Sequence, residues 1–375
     1  MAGIYIHVPF CRKACHYCDF HFSTNRQNET QMVEAMVHEM HLRRDYLPDK
    51  NIETIYLGGG TPSLLSEALL AALFEALHRI FSVSHGAEVT LEANPDDLSP
   101  RALAFFSSLG INRLSIGVQT FHDPVLRFLN RTHTGKQAVE AYRRARNAGF
   151  SNINLDLIFA IPGQTLQDIE QDVHQIIRLN PEHVSAYTLT IEEKTVFGNW
   201  LKKGRLVPAT EEDEAAAFLL VSEQLITAGY GHYEVSNYAR PGFKSRHNSH
   251  YWKRVPYLGI GPGAHSFNGV SRQANIANNY RYMEQINQNA VPATPETLTR
   301  EDHINECIMT GLRTEEGVDL DFLRLTFQYS PTGAQAKLMD NWQQLGYAEI
   351  KNGRLRLTRT GLLLADKIAA ELFTG

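Results

Sequence analysis

Cysteine is scarce in this chain: four residues in 375, of which Cys11, Cys15 and Cys18 crowd into eight positions while Cys307 stands alone. So few thiols exclude a disulfide framework for a protein of this length. Positive charge is also short. Lys and Arg number 36 against 41 Asp and Glu, a net charge of -5, and no long run of like charges offsets it, which argues against a general nucleic-acid binder. No stretch approaches the roughly eighteen consecutive apolar residues of a membrane span, and the start of the chain lacks the basic region and apolar run of a secretory signal. A cytoplasmic protein is therefore expected, with no transmembrane segment and room only for transient membrane association. In that compartment clustered thiols point to metal or redox chemistry rather than to a staple. Apolar side chains, by contrast, are abundant. They make up 43% of the residues, enough for a substantial core in one large domain with a smaller one beside it.

From residue 4 to about 190 short apolar, β-branched runs alternate with amphipathic stretches, the pattern of parallel strands joined by helices. Six strands are expected: Ile4 to Val8, Thr54 to Leu57, Val89 to Glu92, Arg113 to Gln119, Asn152 to Phe159 and His183 to Leu189. Helical patterns such as EALLAALFEALHRIF and LQDIEQDVHQIIRLN lie between them. Such a series closes into a barrel, curls into part of one, or lies open as a doubly wound sheet; all three place functional groups at the C-terminal strand ends. Residues 191–290, with weaker periodicity and turn-rich stretches such as YLGIGPGAHSF, read as an elaboration of this domain. Residues 291–375 read as a separate module of three helices and a hairpin, its turn marked by the NG pair of IKNGRL. That combination is winged-helix-like, and without a basic run it is not read as DNA-binding.

Three thiols on one loop are open to several readings: a zinc site, a redox pair with a bystander, an iron-sulfur site, or structural cysteines. Structural zinc wants four ligands, usually as two pairs, and no second CxxC exists here. Three cysteines instead suit a 4Fe-4S cube with one iron left open to an outside ligand. The loop also begins where the first strand ends, at VPF followed by Cys11, where parallel βα folds concentrate their chemistry.

CxxxCxxC directly after a first strand resembles the signature of radical S-adenosylmethionine enzymes. The segments IYIHVPFC, YLGGGTPSLL, LEANPDDL, RLSIGVQTF, LNRTH and NLDLIFAIPGQT extend the likeness in order and spacing over about the first 265 residues. They resemble the subfamily that contains oxygen-independent coproporphyrinogen dehydrogenase and a heme chaperone. The resemblance implies an α/β fold, a partial (β/α)6 barrel with a smaller C-terminal α+β domain. It implies a 4Fe-4S cluster on Cys11, Cys15 and Cys18, and S-adenosylmethionine held by Tyr5, Tyr17, Gly59, Gly60, Thr61, Glu92, Gln119, Arg131 and Asp156. An electron donor such as flavodoxin or ferredoxin is implied with them, and reductive cleavage of the cofactor. No catalytic residue acting on a substrate is assigned.

Within that subfamily the dehydrogenase carries a fourth cysteine in CxxxCxxCxC, whereas this chain has Phe20 at the slot, and only four residues precede Tyr5. The segment HNSHYW at 247–252 fits the heme-chaperone pattern, which makes His247 and His250 heme-ligand candidates, histidine being a common axial ligand. The expected function is to carry heme as cargo to acceptor hemoproteins, with respiratory ones foremost. The alternative is radical oxidative decarboxylation of coproporphyrinogen III.

Overall fold

The computed structural model describes residues 1–374. Six parallel strands form its centre: β1 (Ala2–Val8), β2 (Asn51–Gly59), β3 (Ser82–Ala93), β4 (Arg113–Gln119), β5 (Ile153–Phe159) and β6 (His183–Thr188). They are neighbours in sequence order, the topology of a barrel segment with each return made by a helix.

The side-chain period of two explains the architecture. In β4, Leu114, Ile116 and Val118 join the main apolar core, while Arg113, Ser115, Gly117 and Gln119 line an interior cavity. In β5, Ile153, Leu155, Leu157 and Phe159 face the core, and Asn154, Asp156 and Ile158 the cavity. The same holds for Tyr56 against Ile55 and Leu57 in β2, and for Ser185 and Tyr187 against Val184 and Ala186 in β6. The outer face thus buries its apolar residues under the helices, and the inner face is polar. A fully closed barrel of this class fills its interior with branched apolar side chains; this one leaves a polar-lined cavity there.

The helices stand where their stripes and caps place them. Helix Leu166–Leu179 buries Ile169, Val173 and Ile176 at helical spacing and starts in a capping box, Thr165 with Asp168, of a kind whose loss costs about 1 kcal/mol.

The expected strands are all present. Three run longer than the apolar runs suggested, β3 most of all, because its polar start SVSHGAE pairs with β2 across an irregularity at Ile52/Thr54. On one side the sheet continues through β7 (Gly231–Glu234) and β8 (Asn237–Ala239), in the order β6-β8-β7. On the other it continues through β9 (Tyr257–Ile260), β10 (His265–Phe267), β11 (Ser271–Asn275) and β12 (Ala293–Thr297), which makes twelve strands. β12 carries the large sheet past residue 290, the boundary read from composition.

The remaining residues build a second core around Ile304, Ile308, Leu312, Leu323, Trp342 and Leu355. Its sheet is antiparallel: β13 (Val318–Asp319), β14 (Ala348–Lys351) and β15 (Arg354–Leu357) in the order β13-β15-β14. The hairpin turn is the NG pair, with Asn352 at φ 52° and Gly353 at φ 71°, the left-handed pair that a tight two-residue hairpin requires. Glu306 ties the two parts together through ion pairs with Arg254 and Arg272.

Candidate functional site

A cavity of about 470 Å³ opens at the C-terminal ends of the six strands. Cys11, Cys15, Tyr17, Cys18, Gly59, Gly60, Thr61, Glu92, Gln119, Arg131 and Asp156 all line it, so eleven of the twelve residues assigned from sequence to the cluster and the nucleotide converge there. Tyr5 is the exception. It stacks behind Tyr56 at 6.1 Å, with its hydroxyl 3.2 Å from His7 Nδ1.

The cysteine loop is held at both ends. Cys11 N donates to the Ser23 carbonyl (3.0 Å) and Ser23 N to that of Pro9 (2.8 Å), which closes the loop's base. The glycine turn after β2 grips it from the side: Gly60 N donates to the Val8 carbonyl (2.8 Å) and Thr61 N to that of Phe10 (2.7 Å). A Cβ on Gly60 would stand 2.6 Å from the Phe10 carbonyl oxygen, so only glycine allows this approach. With those amides engaged, the turn has carbonyl oxygens rather than N–H groups to offer an ammonium. Asn130 Nδ2 also donates to the Ala14 carbonyl (2.6 Å).

All three thiols are partly exposed and free of disulfides. Burial pushes Cys11 up to about 11 and Cys18 to about 12, so without metal both are protonated at neutral pH; coordination would have to displace those protons. Thr61 Oγ1 approaches Cys11 Sγ at 3.6 Å, and the Arg131 guanidinium meets Cys15 Sγ at 3.4 Å, donors aimed at sulfurs that would carry negative charge. Among the described residues no three His, Cys, Asp or Glu side chains are grouped to hold one metal ion. A polynuclear cluster, whose irons are spaced apart, makes no such demand.

Arg131 is fixed by Asn94 Oδ1 (2.5 Å) and the Gly117 carbonyl (2.8 Å), and its buried Nε has no partner. Gln119 sits at φ 68°, a left-handed backbone at the irregularity that ends the β4 ladder; such strain in a non-glycine residue marks a side chain being re-aimed. Glu92 accepts from Tyr56 Oη (2.8 Å). Burial raises its pKa to about 7, against that hydrogen bond and with the charge of Asp156 adding to the rise. Asp156 has the partners its place in an apolar strand demanded, Asn154 Nδ2 at 2.6 Å and Ser115 Oγ at 3.3 Å, and burial raises it to about 6. Two carboxylates titrating near neutrality in one cavity suit a cationic ligand.

His247 and His250 lie elsewhere, on helix Arg246–Trp252, which plugs the opposite end of the barrel. Glu88 of β3 accepts from the backbone N–H groups of Arg246 (3.1 Å) and His247 (3.0 Å). The His247 ring pairs with Thr54 Oγ1 (2.8 Å) and Tyr251 Oη (2.9 Å) and stacks on Tyr56 at 5.2 Å. Burial lowers its pKa to about 3. His250 is buried with one long contact, 3.5 Å to Thr54 Oγ1. Neither lines the cavity; Asn248, between them, does.

Sequence reading missed Arg113, Tyr56, Asn94, Ser115, Asn154 and Ser185, all cavity-lining. The available signal was parity: Arg113, Ser115 and Gln119 alternate with Leu114, Ile116 and Val118.

A polar-lined parallel barrel with three thiols at its strand ends defines a radical S-adenosylmethionine core. Family comparison agrees, matching residues 5–176 to the radical SAM superfamily and residues 298–364 to the HemN C-terminal domain. The fold superimposes on coproporphyrinogen III oxidase (HemN) of Escherichia coli with a TM-score of 0.85 over 100% of this chain and 90% of that one, at 23% identity. Among curated proteins, the chain is 36% identical to the heme chaperone HemW of Bacillus subtilis over 98% of both chains. It is 37% identical to the heme chaperone HemW of Escherichia coli over 70% of this chain and 69% of that one. The chain belongs to the HemW family of the radical SAM superfamily.

Proposed function

We propose that this protein is a cytoplasmic heme chaperone that carries a 4Fe-4S cluster on Cys11, Cys15 and Cys18, binds S-adenosylmethionine beside it, and passes heme to acceptor hemoproteins such as those of respiration. The observation that carries the cofactor part is the convergence of the three thiols with Glu92, Gln119, Arg131 and Asp156 on one cavity. When bound, the cluster supplies one electron to the sulfonium. This chain's own residues do the positioning. Arg131 offers a planar fork beside Cys15, Gln119 can donate and accept, and Glu92 and Asp156 offer acceptors at the polar wall. The barrel wall limits water around them.

The heme part is supported by the relatives' name and by Phe20, which stands exposed at the cavity rim where the decarboxylating branch has a cysteine. His250, with its single long contact, is the better placed heme-ligand candidate; ligation by His247 would break two hydrogen bonds. Among the described residues no helix is long and apolar enough to cross a membrane. The deciding experiment is parallel anaerobic measurement, on one reconstituted preparation, of heme uptake and of coproporphyrinogen III turnover with S-adenosylmethionine and reductant. Stoichiometric heme uptake with no protoporphyrinogen is expected. Steady protoporphyrinogen formation would overturn the chaperone reading in favour of the decarboxylase.

A further inference from the structure

Arg113, at the start of β4, is among the largest fully buried side chains, with 1% of its surface exposed. Its Nε is buried without an acceptor, and among the described residues its guanidinium takes part in no side-chain hydrogen bond or ion pair, although it lines the cavity. Arg43, buried to a similar degree, is treated differently. Arg43, 4% exposed, is saturated by Glu39, the Gly259 carbonyl, Ser266 and Gln273. The charge of Arg113 is partly balanced through space by Glu92 and Asp156, but its buried N–H donors are left without an acceptor, a cost that this balance does not remove.

Register places it. Arg113 pairs with Thr90 of β3, in the same layer as Tyr5 and Tyr56, below the layer of Glu92 and Ser115. It therefore sits deeper in the barrel than Arg131, whose guanidinium meets Cys15 at the strand ends. Its charge reaches the Glu92 and Asp156 carboxyls on one side and His247 of the floor helix on the other through space, and it forms a direct ion pair with neither carboxyl among the described residues.

We propose that Arg113 is the anchor for a carboxylate of the molecule that fills the barrel. The planar fork matches a carboxylate through two parallel N–H···O bonds. A dianionic phosphate is disfavoured, because Glu92 and Asp156 stand over the same space and repel the second charge. The depth of the site requires the carboxylate to sit on an arm that reaches inward. Two sources share that chemistry: a heme propionate, which rests on the heme reading above, and the methionyl carboxylate of S-adenosylmethionine.

The test uses the full-length protein with its cluster reconstituted, in three forms: parent, Arg113→Gln and Arg113→Lys. Heme and heme dimethyl ester are titrated by the Soret band, S-adenosylmethionine and its decarboxylated analogue by equilibrium dialysis, and ligand-free thermal midpoints are recorded. Arg113→Gln is expected to weaken one acid ligand tenfold or more, with Arg113→Lys intermediate. The parent should show a similar loss toward that ligand's ester or decarboxylated form, while the ligand-free midpoint of Arg113→Gln does not fall. Loss for heme alone assigns a propionate; loss for S-adenosylmethionine alone assigns its carboxylate. If the parent takes up no heme, the heme reading fails and the nucleotide arm still decides this proposal. Parent-like affinity of Arg113→Gln for both acids would overturn it. So would a lowered midpoint with equal loss for acid and ester, or a parent that binds neither ligand.

Discussion

The two ends of the barrel interior treat polar side chains in opposite ways. At the floor, Thr54, Glu88, His247 and Tyr251 pair with one another or with the backbone of the plugging helix, and the His247 ring has both nitrogens engaged. At the rim, three thiols stand unbridged, Arg131 keeps an unpaired Nε, and Gln119 is held on strained backbone. Buried polar groups that satisfy one another specify a structure; the incomplete ones at the rim are those that the proposed function assigns to a ligand.

The largest effect should come from the rim. Replacing any one of Cys11, Cys15 or Cys18 with Ala is expected to abolish the broad visible iron-sulfur absorbance after anaerobic reconstitution, and Cys307→Ala to leave it intact. Cys307 lies against Arg254 in the contact between the two domains, remote from the loop. Retained absorbance in all three loop variants would remove the contrast between a ligand-binding rim and a structural floor.

The floor should answer in stability instead. His247→Ala strands Thr54 Oγ1 and Tyr251 Oη and leaves a void against Tyr56, a combined loss of about 2–4 kcal/mol in chemical denaturation. Its pH dependence has a definite sign. The folded pKa of about 3 lies below the ordinary 6.5, so the unfolded chain binds a proton that the folded one refuses, and stability drains as pH falls from about 6.5 toward 3. The variant should show a flatter acid limb. An unchanged limb would mean that His247 is not buried and neutral.

Glu92 carries the opposite sign. Its folded pKa is raised from 4.5 to about 7, so its contribution is present below about 4.5 and is lost as pH rises through 7. Glu92→Gln should therefore stabilise the ligand-free protein at pH 8, by about 1–3 kcal/mol, while weakening S-adenosylmethionine binding. A variant destabilised at pH 8 would place Glu92 with the floor residues as a structural acceptor.

Much of this contrast was legible in the chain, for identifiable reasons. The six strands announced themselves as apolar, β-branched stretches because their outer faces are buried under the helices, and the cysteine spacing marked the rim. The NG turn also carried over directly. Arg113 was missed because a charged residue opening an apolar strand reads as a solvated end; its parity with Ser115 and Gln119 puts it on their face, but nothing local says that this face lines a barrel interior. HNSHYW was conspicuous, but its position depends on Thr54 and Glu88, almost two hundred and about one hundred and sixty residues away. Pairing across such distances is set by topology and leaves no mark on the local pattern.

The smallest effect is expected at Phe20. Its side chain is 67% exposed at the cavity rim, beside Cys18 and Phe22 in the lining, so it contributes little to the core. Phe20→Ala should change stability by no more than about 0.5 kcal/mol and leave the cluster absorbance as it was. Phe20→Cys restores the fourth thiol of the decarboxylating branch without rebuilding the barrel beneath it. If the choice between chaperone and enzyme is made by the whole cavity, that variant should still form no protoporphyrinogen in the anaerobic assay. Turnover gained by this one exchange would instead locate the functional difference at the rim residue itself.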